Sequence, residues 1–170
     1  AYLLGWYVGD GTRSSGRKNP HRFSLCIGED KKYYLDRIKG SIKKSLGGNI
    51  ILEKRDSDAI VHFNSLPFEL LLKELGLYGK NAPEKFIPDV IFNLKRKEQI
   101  YFLKGLLQSD GSLVAGKKGH KENKFVIDHT TSSKKLAEGL VFLYRQLDLL
   151  PSIIKSKSKD HYYKGVLIKS

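Results

Sequence analysis

The chain has 170 residues, 31 of them Lys or Arg and 18 Asp or Glu, which gives a formal net charge of +13. Such an excess on a folded domain points first to a polyanion, with nucleic acid the leading partner, and no 18-residue apolar run is present to argue for a membrane span. A single cysteine, Cys26, excludes an internal disulfide and has no Cys or His neighbours at zinc-ligand spacing, which suits a reducing, intracellular compartment.

In chain order, the first half reads as a helix over 1–10, a basic polar loop over 12–20, a strand over 21–27 and a helix over 30–46. A strand over 49–54, a turn, a strand over 59–63 and a helix over 66–75 follow. The run Arg22-Phe23-Ser24-Leu25-Cys26-Ile27 alternates with period two, as a half-buried strand does. Asp30 is a natural N-cap for a helix whose stripe is Leu35, Ile38, Ile42 and Leu46, closed by Gly47-Gly48. Ser65 reads as the N-cap of the helix after it.

Residues 79–89 contain Pro83 and Pro88 and read as a linker between halves. The second half then repeats the order: helix 98–110, basic loop 115–123, strand 124–130, helix 133–147, strand 152–155, a basic turn and strand 163–169. Phe23, Leu25 and Ile51 have counterparts at Phe125, Ile127 and Ile153, a constant offset that marks an internal duplication. The division expected is 1–78 for the first half, 79–97 for the linker and 98–170 for the second half. Ser170 corresponds to Ser65, so the second closing helix is expected to lie beyond these residues.

Strand alternation puts Phe23, Leu25 and Ile27 under the helices and leaves Arg22, Ser24 and Cys26 on the other face. Phe125 and Ile127 likewise leave Lys124, Val126 and Asp128. Loops at the strand ends add Arg13, Arg17, Lys18, Lys117, Lys118 and Lys121, and the second hairpin of each half adds Lys54, Arg55, Lys155 and Lys157. Antiparallel ribbons of this kind can enter the major groove and present alternate side chains to base edges.

The sharpest signal is a motif used twice. Leu3-Leu4-Gly5-Trp6-Tyr7-Val8-Gly9-Asp10-Gly11 and Leu103-Lys104-Gly105-Leu106-Leu107-Gln108-Ser109-Asp110-Gly111 each run an apolar helix into Asp-Gly. A carboxylate at a helix C-terminus is electrostatically disfavoured, so its repetition marks a functional candidate. Gly11 and Gly111 read as left-handed residues that stop each helix. Gly5 with Gly9, and Gly105 with Ser109, give each helix a face on which another backbone can approach. Packed through those faces, the helices bring Asp10 and Asp110 side by side, where like charges need a cation between them. A divalent metal site follows.

The paired motifs in this frame resemble the LAGLIDADG homing endonucleases of the two-motif, single-chain type, and are most like the endonuclease domains carried in inteins. The resemblance implies an α+β fold, a pseudo-two-fold duplicated αββαββα arrangement whose antiparallel sheets form a saddle on double-stranded DNA. It implies a monomer that hydrolyses both strands of a long asymmetric site with Mg2+ or Mn2+. Asp10 and Asp110 would be catalytic metal ligands, helped by the backbone carbonyls of Gly9 and Ser109. In the linker, Lys85 before Phe86-Ile87-Pro88 matches a lysine that reaches the active centre, and its second-half counterpart would follow residue 170. A DNA-binding regulator, or an RNA maturase on the same fold, is the alternative, and competition between duplex DNA and structured intron RNA separates them.

Overall fold

The computed structural model of the chain describes residues 1–13, 21–115, 125–155, 161–163 and 166–168. The first helix, α1 (Tyr2–Asp10), runs without a break into β1 (Gly11–Arg13), and β2 (Arg22–Gly28) returns beside it. A 3-10 segment (Glu29–Tyr34) leads into α2 (Leu35–Leu46), then β3 (Ile50–Lys54), β4 (Asp58–Asn64) and α3 (Leu66–Glu74). These four strands form one antiparallel sheet in the order β1-β2-β4-β3. After α4 (Asp89–Phe92) the same order begins again with α5 (Arg96–Asp110), β5 (Gly111–Ala115), β6 (Phe125–His129) and α6 (Lys134–Gln146), and ends in the hairpin β7 (His161–Tyr163) and β8 (Val166–Ile168).

Burial follows the strand period in the first sheet. Phe23, Leu25 and Ile27 of β2, with Val61 and Phe63 of β4, point into a core closed by Ile38 and Ile42 of α2 and by Phe68 and Leu72 of α3. Tyr7, Phe23 and Phe68 meet edge to face at centroid distances of 5.1 to 6.0 Å, the geometry that aromatic quadrupoles favour. Ser65 caps α3 as expected, its side chain accepting from Phe68 N at 3.2 Å, and Ser133 does the same for α6 through Leu136 N.

Between the halves lies the contact on which the rest is hung. On α1, a Cβ at Gly5 would drive into the Phe102 carbonyl and the Leu106 amide of α5. A Cβ at Gly105 would strike the Tyr2 carbonyl and the Trp6 amide of α1, and one at Gly9 would overlap the Ser109 hydroxyl. The helices therefore touch backbone to backbone along the small-residue faces. Tyr2 adds a cross-helix bond, its hydroxyl donating to Gln108 Oε1 at 2.8 Å.

Several expectations are corrected. Gly11 and Gly111 are extended, at φ −80° and −95°, because each helix passes directly into a strand. Glycine is needed there for space: an added Cβ would collide with the Tyr7 or Leu107 backbone one turn back. Asp30 is no N-cap. The 3-10 segment intervenes and α2 begins at Leu35, after Tyr34, whose ring stands edge-on to Trp6 at 5.9 Å. Residues 152–155 form no strand; Ile153 and Ile154 are exposed, and apolar residues without a neighbouring ladder do not make a strand by propensity alone. The second hairpin of that half is instead β7–β8. Ile127 is 45 % exposed and Val126, on the other face, is exposed too, as the β5–β6 ribbon has no further strand paired to it among the described residues. Within residues 79–97, Ile87 and Ile91 reach into the core, and α5 already begins at Arg96.

Because Gly5 and Gly105 face backbone atoms that have nowhere to go, Gly5→Leu and Gly105→Leu should each lower stability by at least the ~1 to 3 kcal/mol typical of overpacking. Thermal or urea unfolding measures this, and unchanged melting of both variants would mean that the helices do not meet there.

Candidate functional site

Two helices that pack at their small faces and stop in register put their C-terminal ends together. A Cβ on Gly9 would lie 3.2 Å from Asp110 Cβ, so the two motif aspartates emerge side by side. Burial pushes the Asp10 carboxyl up to about 6, the negative charge of Asp110 adds to the rise, and Lys31 and Lys85 oppose it. Asp110 is also raised, first by burial, with the same two lysines pulling the other way. The pair thus stands in a place where its own ionisation is disfavoured unless positive charge is supplied.

Lys85 supplies part of it. The residue is buried, 5 % exposed, and its Nζ donates to the carbonyls of Tyr7 at 3.0 Å, Gly9 at 3.0 Å and Gly11 at 2.8 Å. These carbonyls line the C-terminal end of α1 and the first residue of β1, with Tyr7 O also accepting from Gly11 N, so the ammonium both caps the helix and answers its negative pole. Burial lowers the Lys85 ammonium to about 8, with Asp10 and Asp110 holding it up. Its backbone is pinned from the other half, where Ser133 Oγ donates to the Lys85 carbonyl at 2.6 Å. A solvated linker lysine would show none of this.

Sequence reasoning missed the second cation. Lys31, in the 3-10 segment after β2, donates from Nζ to the Ser109 carbonyl at 2.5 Å and so caps α5 as Lys85 caps α1. Each half's motif helix is thus answered by a lysine near both aspartates. The signal was present in the register: Gly11 pairs with Leu25, so β2 runs on past the start of β1 and delivers the residues after Gly28 to the helix ends. The Asp30-Lys31-Lys32 run was read as the start of a helix instead.

The carbonyls of Gly9 and Ser109 are both engaged by these ammonium groups. Among the described residues no cluster of three or more His, Cys, Asp and Glu side chains is placed to hold a metal. The side-chain donors at the helix ends are therefore two carboxylates, hard oxygen ligands of the kind Mg2+ or Mn2+ takes while keeping several waters.

Of the surface residues singled out for DNA, Lys54, Arg55 and Lys155 are exposed. Arg13, also exposed, lies over the Tyr78 ring at 4.4 Å. Arg22 is half-buried, and Ser24 is buried with its hydroxyl bonded to His62 Nδ1 at 2.8 Å. Arg17, Lys18, Lys117, Lys118, Lys121, Lys124 and Lys157 lie outside the described residues. Among the described residues no helix is long and apolar enough to cross a membrane.

Residues 97–170 match the family model of the LAGLIDADG-like domain. An uncharacterized protein of Methanocaldococcus jannaschii is 30% identical over 159 residues, covering 91% of this chain and 17% of that protein. A DNA polymerase of Thermococcus sp. strain GE8 is 26% identical, with 99% of this chain and 10% of the polymerase covered. A replicative DNA helicase DnaB of Synechocystis is 25% identical, with 95% of this chain and 19% of the helicase covered. The chain therefore spans less than a fifth of the length of these relatives. Among solved structures, the I-DmoI complex with DNA and Mn is similar at TM-score 0.56 and 16% identity, covering 92% of this chain and 81% of that one. The homing endonuclease I-WcaI bound to its DNA recognition sequence is similar at TM-score 0.57 and 17% identity, covering 85% and 65%. With the duplicated helix-strand order and the paired Asp-Gly helix ends already established, these likenesses show that residues 97–170 match a LAGLIDADG-like domain and that the chain has the α+β fold of I-DmoI and the homing endonuclease I-WcaI.

Proposed function

We propose that the chain is a site-specific, divalent-metal-dependent DNA endonuclease that hydrolyses both strands of a long, asymmetric duplex site. The observation that carries this reading is the single cluster of Asp10, Asp110, Lys31 and Lys85 at the joined ends of α1 and α5. It is supported by the resemblance to endonucleases solved with DNA, and with DNA and Mn. Recurrence of the same stretch within a polymerase, a helicase and an uncharacterized protein, each time as a minor part, further supports an element inserted into unrelated hosts, as in an intein.

A divalent cation bound here would supply an activated water and neutralise charge on the phosphate. Asp10 and Asp110 would hold it, and the carbonyls of Gly9 and Ser109, each of which accepts from a lysine, would have a second lone pair to offer it. The ammonium groups of Lys85 and Lys31, set among helix ends and carboxylates, stabilise the extra negative charge that grows on the phosphate during displacement. The polar face of the β1-β2-β4-β3 sheet and the basic hairpin ends, Lys54, Arg55 and Lys155 among them, lie along the duplex. The two halves, 1–78 and 98–170, each contribute one aspartate, which suits a cut in each strand by a monomer.

Asp10→Asn and Asp110→Asn should each abolish double-strand cleavage in Mg2+ while specific binding stays within a few fold, read on a target found by site selection. Near-normal cutting of both strands by both variants would contradict the shared metal centre. Lys85→Ala and Lys31→Ala should slow cleavage by about 10²-fold, as loss of a transition-state charge stabiliser does, with little change in DNA affinity. Full-rate cutting by either variant would return that lysine to a helix cap only.

The burial of Asp10 also has a pH signature without metal. A carboxylate whose folded value is raised binds more protons folded than unfolded, so its contribution to stability falls as pH rises from about 4 to about 6. In chelator, Asp10→Asn should therefore melt above the parent protein at pH 7, with the gap closing toward pH 4. A gap that is absent at pH 7, or that widens in acid, would contradict the buried-charge account.

A further inference from the structure

The outward face of the first sheet carries a hydrogen-bonded chain that the hydrolytic centre does not use. Ser24 of β2 and His62 of β4 are direct cross-strand partners, and Ser24 Oγ lies 2.8 Å from His62 Nδ1. His62 Nε2 lies 2.9 Å from Glu53 Oε2 on the edge strand β3, and Arg55 Nε donates to Glu53 Oε1 at 2.8 Å. Since a carboxylate can only accept, His62 Nε2 carries a proton, and in the neutral ring Nδ1 accepts from the Ser24 hydroxyl. Both carboxylate oxygens are thus fixed from the protein side, which holds the Glu53 carboxyl below its ordinary value through His62 first and Arg55 second.

The arrangement is anchored at one end and open at the other. Ser24 and His62 are each 8% exposed, whereas the Glu53 and Arg55 side chains stand 45% and 51% exposed. Arg55 N donates to the Asp58 carbonyl at 2.9 Å and closes the β3–β4 turn, so the arginine is set at the end of the hairpin. With Nε given to Glu53, the two terminal amino groups of Arg55 have no hydrogen-bond partner among the described residues. That outer edge has the spacing that meets guanine O6 and N7, and the remaining lone pairs of Glu53 suit the amino group of cytosine. A carboxylate on a face turned to phosphates is otherwise unfavourable, and a chain with net charge +13 has no need to place one there.

We infer that Arg55 and Glu53 read one G·C base pair in the major groove, Arg55 on the guanine and Glu53 on the cytosine, with His62 and Ser24 as positioning residues that hold Glu53. The inference rests on the proposed function, because it takes this sheet face to lie on duplex DNA. It is tested by binding selection from a fully randomised duplex library with the parent protein, Arg55→Ala and Glu53→Ala, all checked for parent-like melting. One position of the selected site should be G·C with at least about tenfold preference in the parent protein and fall below about threefold in both variants, with the other positions kept. Relaxation of no position, relaxation of two different positions, or a uniform loss of affinity at every position would overturn it, the last because it marks a phosphate contact. A parent protein that selects no sequence at all overturns the endonuclease reading together with this one, whereas a sharp site indifferent to both residues overturns only this one.

Discussion

The backbones of α1 and α5 touch because Gly5, Gly9 and Gly105 carry no side chain, and that contact sets where everything else stands. A helix pair of ordinary residues keeps its axes 8 to 10 Å apart, with side chains between. Here a Cβ at any of the three glycines would overlap the opposite helix, so the ends of α1 and α5 are drawn together and the residue closing each is an aspartate. A pair of carboxylates at the negative poles of two helices is an arrangement folding would not select for stability. Its energetic cost is the argument for its use.

That cost is offset by two lysines that arrive from unrelated places, one from the segment between the motif helices and one from the turn after β2. Each ammonium caps one motif helix. The site thereby holds two negative and two positive side chains in a partly desolvated spot, balanced before any ligand enters. Such preorganised charge is suited to a phosphodiester, which brings negative charge of its own and develops more during displacement. The segment that carries Lys85 is accordingly part of the site, pinned on one side by Ser133 and on the other by the end of α1.

Much of this was legible in the amino-acid order, for reasons that differ residue by residue. The Asp-Gly repeat and the small residues four apart carried both the helix pairing and the meeting of the aspartates, because helix periodicity is local and strict. The alternation of Arg22 to Ile27 carried the first sheet face. Lys31 was not legible as a local signal, since its place depends on strand register across β1 and β2. The role of Gly11 and Gly111 was misread because glycine answers two demands, positive φ and closeness, and only the dihedral angle distinguishes them. The strand expected at 152–155 failed because strand formation depends on a neighbour, which propensity does not supply.

The account stands or falls on whether Asp10 and Asp110 share a cation. Crystals of the protein grown with Mn2+ and examined by anomalous scattering test it directly. A manganese peak within coordination distance of a carboxylate oxygen from each aspartate, lost in both Asp10→Asn and Asp110→Asn, is the result predicted. Peaks confined to other surface carboxylates, or a peak at one aspartate that survives substitution of the other, would contradict it.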